Sequence, residues 1–446
     1  MNGDQQHFER LLESISRGST DDIKVLLASL RPSEVAALVE ANTPDTRRII
    51  WGLLEEEVRN QSLQHLHDDV RAEFLQAMDT AQLVTAAEKL DTDDFADILH
   101  QLPNTITDQV LEKLDSRDRA RVESVLAYAD DSAGGLMNTD TITVRPRHAA
   151  ELVLRYLRLR RELPATTDAL IVVNSKDEYL GMLPLTKLLT ADPTVTVREI
   201  MNGDEPAVHV DTPDTEVARL FSERDLISAP VINDDGYLVG RITIDDVVDV
   251  IIEDAEEALL APAGLAVDTD IFAPVRRAVR RRAVWLGINL LTALLAAAVI
   301  SMFEETIIKV VALAVLMPVI ASMGGIAGTQ TLTLVIRGQA TGQLGRSNML
   351  RMLNREFIIA GLNGVLWAAL VALGATYFFA DAQLGLVIAV AMVTTILIAA
   401  IAGSLLPSLL RRMNIDPAIA GGVVLTTITD VAGFFIFLGL ASWVYL

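Results

Sequence analysis

The chemistry this chain can carry is that of oxygen ligands for cations. Asp430 stands alone in the otherwise apolar or small-residue run 418–446, with Thr426, Thr427 and Thr429 before it and Gly433 after it. A helix starting near Ala418 places that carboxylate roughly 18 Å along its axis, near the middle of a ~30 Å hydrocarbon layer. A charge there costs on the order of 3 kcal/mol or more unless protein groups, water or a cation compensate it. No Lys or Arg lies deep in any apolar stretch, since Lys309 falls at an edge, so a cation is the favoured companion. Acids gather elsewhere too. Asp93, Asp94 and Asp97 share one predicted helix, and Asp214, Glu216 and Asp225 lie further on. Asp245, Asp246, Asp249, Glu253, Asp254, Glu256 and Glu257 then follow in a run. Crowded carboxylates repel by about 1 kcal/mol per close pair in water. Hard cations that prefer oxygen ligands relieve this.

What is missing excludes other chemistry. The chain has no cysteine, so it has no disulfide, thiolate metal site or thiol nucleophile. It contains no G-x-x-x-x-G-K-[ST] loop to drive a pump, no H-E-x-x-H and no G-x-S-x-G. The reading is a channel or secondary carrier, not an enzyme.

Charge divides the chain in two. The formal net charge is -22 over 446 residues. Residues 1–275 hold 53 acidic and 25 basic side chains, whereas 283–446 hold 6 and 7. Arg276, Arg277, Arg280, Arg281 and Arg282 form a basic collar between them. So acidic a soluble half disfavours nucleic acid, whose binding needs phosphates neutralised by Lys and Arg. The N-terminal MNGDQQHFER has neither the basic cap nor the apolar core of a signal peptide.

Five apolar stretches, near 283–302, 307–336, 357–379, 384–406 and 418–446, are each long enough to span a bilayer. The second contains Pro318 and the run Ser322-Met323-Gly324-Gly325-Ile326-Ala327-Gly328. That composition predicts a break in the helix, with unpaired carbonyls that a watery cavity would tolerate. Arginines sit in the collar, at 337, 346, 351 and 355, and at 411 and 412; Glu304, Glu305 and Asp381 occupy the opposite loops. By the positive-inside rule the N-terminal half is cytoplasmic and the C-terminus outside, as in a multi-pass protein of the plasma (inner) membrane.

Residues 1–130 show apolar positions at helical spacing, as in Phe95, Ile98 and Leu99, punctuated every ~10–13 residues by Pro, Asp and Asn turn signals. This predicts stacked helical hairpins, a small α-solenoid. Residues 131–258 carry a repeat of about 60 residues. Met137-Asn138 recurs as Met201-Asn202, and the run beginning Leu180-Gly181 matches the one beginning Val239-Gly240. Its β-α-β-β-α order resembles a tandem of CBS domains. In that family a Gly-x-x-Thr-x-x-Asp signature holds the ribose of an adenine nucleotide such as ATP. Gly240, Thr243 and Asp246 match it, whereas the first copy has Gly181, Pro184 and Lys187.

With the order of parts assembled, the whole chain resembles the MgtE family of magnesium channels and transporters. Residues 318–330, Asp416-Pro417-Ala418 and the run from Thr426 to Gly433 carry the resemblance. It implies a multidomain fold: a cytoplasmic all-α helical solenoid and an α/β CBS pair, followed by an α-helical membrane domain of five transmembrane helices. The segments are a helical domain at 1–130, CBS repeats at 131–195 and 196–258, a connecting (plug) helix over 259–282, and the pore domain at 283–446. The resemblance further implies a lipid-embedded homodimer in which paired Asp430 side chains face a hydrated Mg²⁺. Regulatory Mg²⁺ is then expected on acids among Asp93, Asp94, Asp97, Asp214, Glu216, Asp225, Asp246, Asp249, Asp254, Glu257 and Asp416. Ile326 replaces the usual Asn after Gly-Gly, Val423 a usual Pro, and Ile252 and Ala258 stand at positions often acidic. The rivals are transport of Co²⁺ or Mn²⁺ on the same architecture, and a membrane-anchored adenine-nucleotide sensor.

Overall fold

The computed structural model describes residues 20–87, 89–164, 166–265, 270–345 and 347–446. The first of these build a succession of short helices: α1 (Thr20–Leu27), α2 (Pro32–Glu40), α3 (Pro44–Leu53), α4 (Glu56–Ser62), α5 (Asp68–Leu75), α6 (Thr80–Ala87), α7 (Thr92–His100), α8 (Asn104–Lys113) and α9 (Ser116–Leu126). Local chemistry sets their starts. Pro32 and Pro44 occupy first-turn positions where a missing N–H is harmless. The Asp115 carboxylate accepts from the Arg117 and Asp118 amides ahead of α9. Most of these helices bury an apolar side, and the buried residues join in a core through Val35, Val39, Ile50, Leu63, Leu83, Phe95, Ile98 and Val110.

Within this all-helical part Arg47 is buried to 1% exposure. Its guanidinium donates to both carboxylate oxygens of Asp270 at 2.7 Å, and to the Val39 and Glu40 carbonyls at 3.0 and 2.9 Å. Removing one partner of such a pair strands the other, which costs about 3–5 kcal/mol. Arg47→Ala should therefore lower the thermal midpoint of the full chain markedly, measured by a melt in detergent; an unchanged midpoint would refute the assignment.

The repeat folds twice. β1 (Thr143–Val144), α10 (Ala150–Arg160), β2 (Ala169–Val173), β3 (Tyr179–Pro184), α11 (Leu185–Thr190) and a single helical turn, α12 (Val197–Ile200), form the first copy. β4 (Val208–His209), α13 (Asp214–Arg224), β5 (Ser228–Ile232), β6 (Leu238–Thr243) and α14 (Ile244–Leu260) form the second. In both, a parallel pair is followed by an antiparallel one, with Gly181 opposite Val172 and Gly240 opposite Val231. The duplicated Met-Asn pieces cross over. Asn138 exchanges backbone bonds with Arg241 of the second copy, and Asn202 with Met182 of the first. A Cβ on Gly240 would lie 2.8 Å from the Met137 sulfur and 3.0 Å from the Asn138 carbonyl oxygen, so this crossing leaves little room for a side chain.

The connecting helix expected over 259–282 is built differently. The acid-rich helix α14 runs to Leu260, a 3₁₀ turn follows at Ala261–Ala263, and Gly264 turns the chain at φ +67°. There is no helix among the described residues from 264 to 273, while the arginine collar already belongs to α15 (Val275–Ser301). The described residues form two compact units: one of those up to Glu256 with 270–273, the other of 257–265 with those from Pro274 onward.

Among the described residues the second unit holds five helices long and apolar enough to cross a membrane. They are α15, then, after the short α16 (Glu304–Lys309), α17 (Ala312–Ala340), α18 (Met349–Phe379), α19 (Ala382–Arg412) and α20 (Pro417–Tyr445). The break expected near Pro318 and the glycines is absent: α17 is continuous through all of them, and the interruption falls earlier, at Val310–Val311. Packing overrides the weak helix propensity of glycine. A Cβ on Gly324 would meet Thr395 at 2.8 Å, and one on Gly403 would meet the Gly328 carbonyl at 2.7 Å. The small residues are there to let α17 and α19 touch.

Candidate cation sites

Helical phase places residues 321, 322, 325, 326, 329, 330, 333 and 334 of α17 along one face. With Thr426 and Asp430 of α20 they line an open-sided groove of about 920 Å³. No hydrogen bond or ion pair reaches the Asp430 carboxylate among the described residues. Thr329 donates its hydroxyl to the Gly325 carbonyl and Thr426 to that of Gly422, each at 2.8 Å. With their protons spent on their own helices, both oxygens keep lone pairs for the groove. The wall therefore offers one charge and several acceptors set in a mostly apolar surface that includes Ala321 and Leu334. Apolar Ile326 shares this wall and offers no ligand.

The second site lies in the other unit, where α7 faces α14. Asp93 is buried to 6% exposure, and its Oδ1 has no hydrogen-bond partner among the described residues. Burial, then the charges of Asp246, Asp94 and Asp91, hold its carboxyl well above the usual range. Burial raises Asp94 to about 8, helped by Asp246, Asp91 and Asp97 and opposed by Arg71. Asp246 is pushed up to about 7 by burial and Asp245, against the hydrogen bond it accepts from the Thr243 hydroxyl at 2.9 Å. Asp97 keeps solvent contact at the rim; the protein around it raises its carboxyl to about 7, opposed by Arg71 and reinforced by Asp130, Asp68 and Glu253. Desolvation also raises Asp249, with His65 opposing. Carboxylates in such company stay apart, take protons or share a cation.

The other expected acids are scattered. Half-buried Asp214 is raised by desolvation and by Asp131, and Asp254 is raised by partial desolvation and by Asp214, so these three form a smaller group. Glu216 pairs with Arg219 at 3.2 Å, and Asp225 sits exposed at the left-handed end of α13. Glu257 is exposed and falls in the second unit. Asp416 caps α20, accepting from the Ala418 amide at 2.7 Å. Sequence reasoning passed over Asp91, and also Glu356, which is buried in the membrane unit at 6% exposure. A usable signal existed, because Glu356 extends the buried stripe Ala360, Gly364 and Ala368 by one helical turn.

A helical acidic domain, a duplicated α/β module and a five-helix membrane bundle with an acid-bearing groove are the parts of a divalent-cation transport protein. Family models agree: the divalent cation transporter model MgtE matches residues 317–440, the MgtE intracellular N domain 30–131, and the CBS domain 197–253. The chain is 33% identical over 437 residues to the magnesium transporter MgtE of Thermus thermophilus, covering 97% of both proteins. It is 27% identical to the magnesium transporter MgtE of Bacillus subtilis, covering 97% of this chain and 96% of that one. Among solved structures it is similar to the cytosolic domain of the Mg²⁺ channel MgtE in complex with ATP, at 34% identity and TM-score 0.49, covering 54% of this chain and 98% of that one. The chain belongs to the MgtE family of magnesium transporters. Its fold class is accordingly a cytosolic-type helical N domain and CBS pair joined to five membrane helices.

Proposed function

We propose that the chain is a homodimeric channel that moves Mg²⁺ down its electrochemical gradient. The observation that carries this is Asp430, a membrane-helix carboxylate with no partner among the described residues, lining a largely apolar groove whose polar groups come from Ser322, Thr329, Gln330, Thr333 and Thr426. Mg²⁺ gives up its water reluctantly, so a carboxylate acting through that shell recognises it better than a dry cage. A second copy would close the open side of the groove and bring a second Asp430 to the same ion. The lone charge of each subunit would then compensate half of the divalent charge. The arginine-bearing ends of the spans favour an orientation with the N-terminal half in the cytosol.

The same reading assigns a regulatory role to the cluster of Asp91, Asp93, Asp94, Asp97, Asp246 and Asp249. The orphaned Oδ1 of Asp93 fits a cation ligand, and a bound Mg²⁺ would turn repulsion between α7 and α14 into attraction. Cytosolic Mg²⁺ would thereby hold these elements together and close the pore. Adenine nucleotide is a second ligand, favoured by Gly240, Thr243 and Asp246. In this geometry, however, Asp246 faces other acids and binds Thr243, a setting that favours a cation over a polyphosphate.

The test is flux into liposomes holding the purified full chain and a Mg²⁺-sensitive dye, with a Mg²⁺ gradient and neither ATP nor a proton gradient. Uptake above protein-free liposomes is expected. A membrane-anchored nucleotide sensor would give none, and Co²⁺ uptake without Mg²⁺ uptake would move the assignment to another divalent ion.

A further inference from the structure

We infer that Glu356 is a positioning residue for ion selection, acting through Thr331 on the back of the groove-lining helix. The inference rests on reading the groove as the transport path. Glu356 lies in the second turn of α18 and is 6% exposed; Thr331 of α17 is 4% exposed. The Thr331 hydroxyl, which also lies 3.4 Å from the Ala327 carbonyl of its own helix, donates to Glu356 Oε2 at 3.2 Å, and among the described residues the other oxygen, Oε1, is buried with no hydrogen-bond partner. Among the described residues no basic side chain pairs with this carboxyl.

The pair does not line the groove. Thr331 lies about 170° around α17 from the centre of the groove-lining face, at 100° per residue. Nor does α18 otherwise hold α17 closely. The two pack chiefly through α19, whose Gly403 sits against Thr331 and the Gly328 carbonyl. The Thr331–Glu356 bond therefore joins the pore helix to α18 directly and adds to the packing against α19 in setting its rotation. That rotation matters because groove side chains lie about 5–6 Å from the helix axis, so a turn of roughly 10° moves their oxygens by about 1 Å. Shifts of that size are enough to spoil a site that selects by geometry. A buried carboxyl with an unfilled acceptor is a poor choice for stability alone, which favours a functional reason for having it there.

The experiment measures Mg²⁺ and Co²⁺ uptake by full-length variants in the liposome assay. Glu356→Ala and Thr331→Val should each change the Mg²⁺ to Co²⁺ uptake ratio several-fold while Mg²⁺ still enters. Glu356→Gln keeps the acceptor oxygen and should restore the wild-type ratio, and Glu356→Ala with Thr331→Val together should be no worse than either alone. An unchanged ratio in both single variants overturns the inference. So does a Glu356→Gln protein as altered as Glu356→Ala, which would make the charge itself the ligand. If Glu356→Ala does not fold, Thr331→Val, nearly the same shape, and Glu356→Gln decide the matter. Absence of flux in the wild type would instead refute the transport reading.

Discussion

Liposomes carrying Asp430→Ala should take up Mg²⁺ about 100-fold more slowly than wild type. The figure follows from the charge: a carboxylate that offsets on the order of 3 kcal/mol for an ion in a low-dielectric setting is worth about two decades in rate. Asp430→Asn is the sharper variant, because it keeps size and hydrogen-bonding capacity and removes only the charge. If Asp430 serves packing, Asn restores flux; if it serves the cation, Asn fails nearly as badly as Ala. Asp430→Glu should retain measurable flux with altered ion preference, since the charge survives about one methylene further into the groove. All three should be compared at equal reconstituted protein.

Neutralising Asp93, Asp94 and Asp246 together to Asn should abolish the response of the extramembranous half to Mg²⁺. In the wild type, limited proteolysis should slow as Mg²⁺ rises toward ~20 mM, because the ion replaces repulsion with shared ligation. In the triple variant there is nothing to relieve, so protection should be independent of Mg²⁺, and flux should lose its inhibition by cytosolic-side Mg²⁺. Proteolysis of the triple variant that still tracks Mg²⁺ would locate the sensor elsewhere, with the smaller group at Asp131, Asp214 and Asp254 next in line.

The same carboxyls make stability depend on pH in a definite direction. Burial raises Asp94 to about 8 and Asp246 to about 7 in the folded protein, whereas free Asp releases its proton near 4. Between those values the unfolded chain binds fewer protons, so stability falls as pH rises. Without Mg²⁺ the thermal midpoint should drop between pH 6 and 8, where 1 kcal/mol is worth about 2–4 °C for a unit of this size. Saturating Mg²⁺ should flatten that slope, because the ion takes over from the protons. A midpoint that rises with pH in the absence of Mg²⁺ would contradict the clustering.

Asp430 was legible because hydrocarbon makes a solitary acid conspicuous, and the five spans because their length and apolarity need no tertiary information. The duplicated Met-Asn and Gly signatures likewise exposed the repeat, down to the matching register of Gly181 and Gly240. The course of α17 was misread for a definable reason. Local propensity treats Pro318 and the glycines as breakers, yet their meaning lies in Thr395, Leu425 and Gly403 on other helices, which sequence order does not show. Glu356 escaped because it stands beside Arg355 at the edge of an apolar stretch, where an acid is ordinary; only helix phase turns it inward. The acid cluster was half legible. Its members stood out by composition, but the pairing of Asp93 and Asp94 with Asp246 joins parts of the chain about 150 residues apart and is a product of folding.

The most direct test of the central claim is the position of a divalent ion in the membrane unit. Mn²⁺ shares the octahedral oxygen preference of Mg²⁺ and scatters anomalously. Crystals of the full chain soaked in Mn²⁺ should show an anomalous peak in the groove, about 4–5 Å from the Asp430 carboxylate, one water layer away. Peaks at the acids of α7 and α14 with none in the groove would contradict an ion path along Asp430.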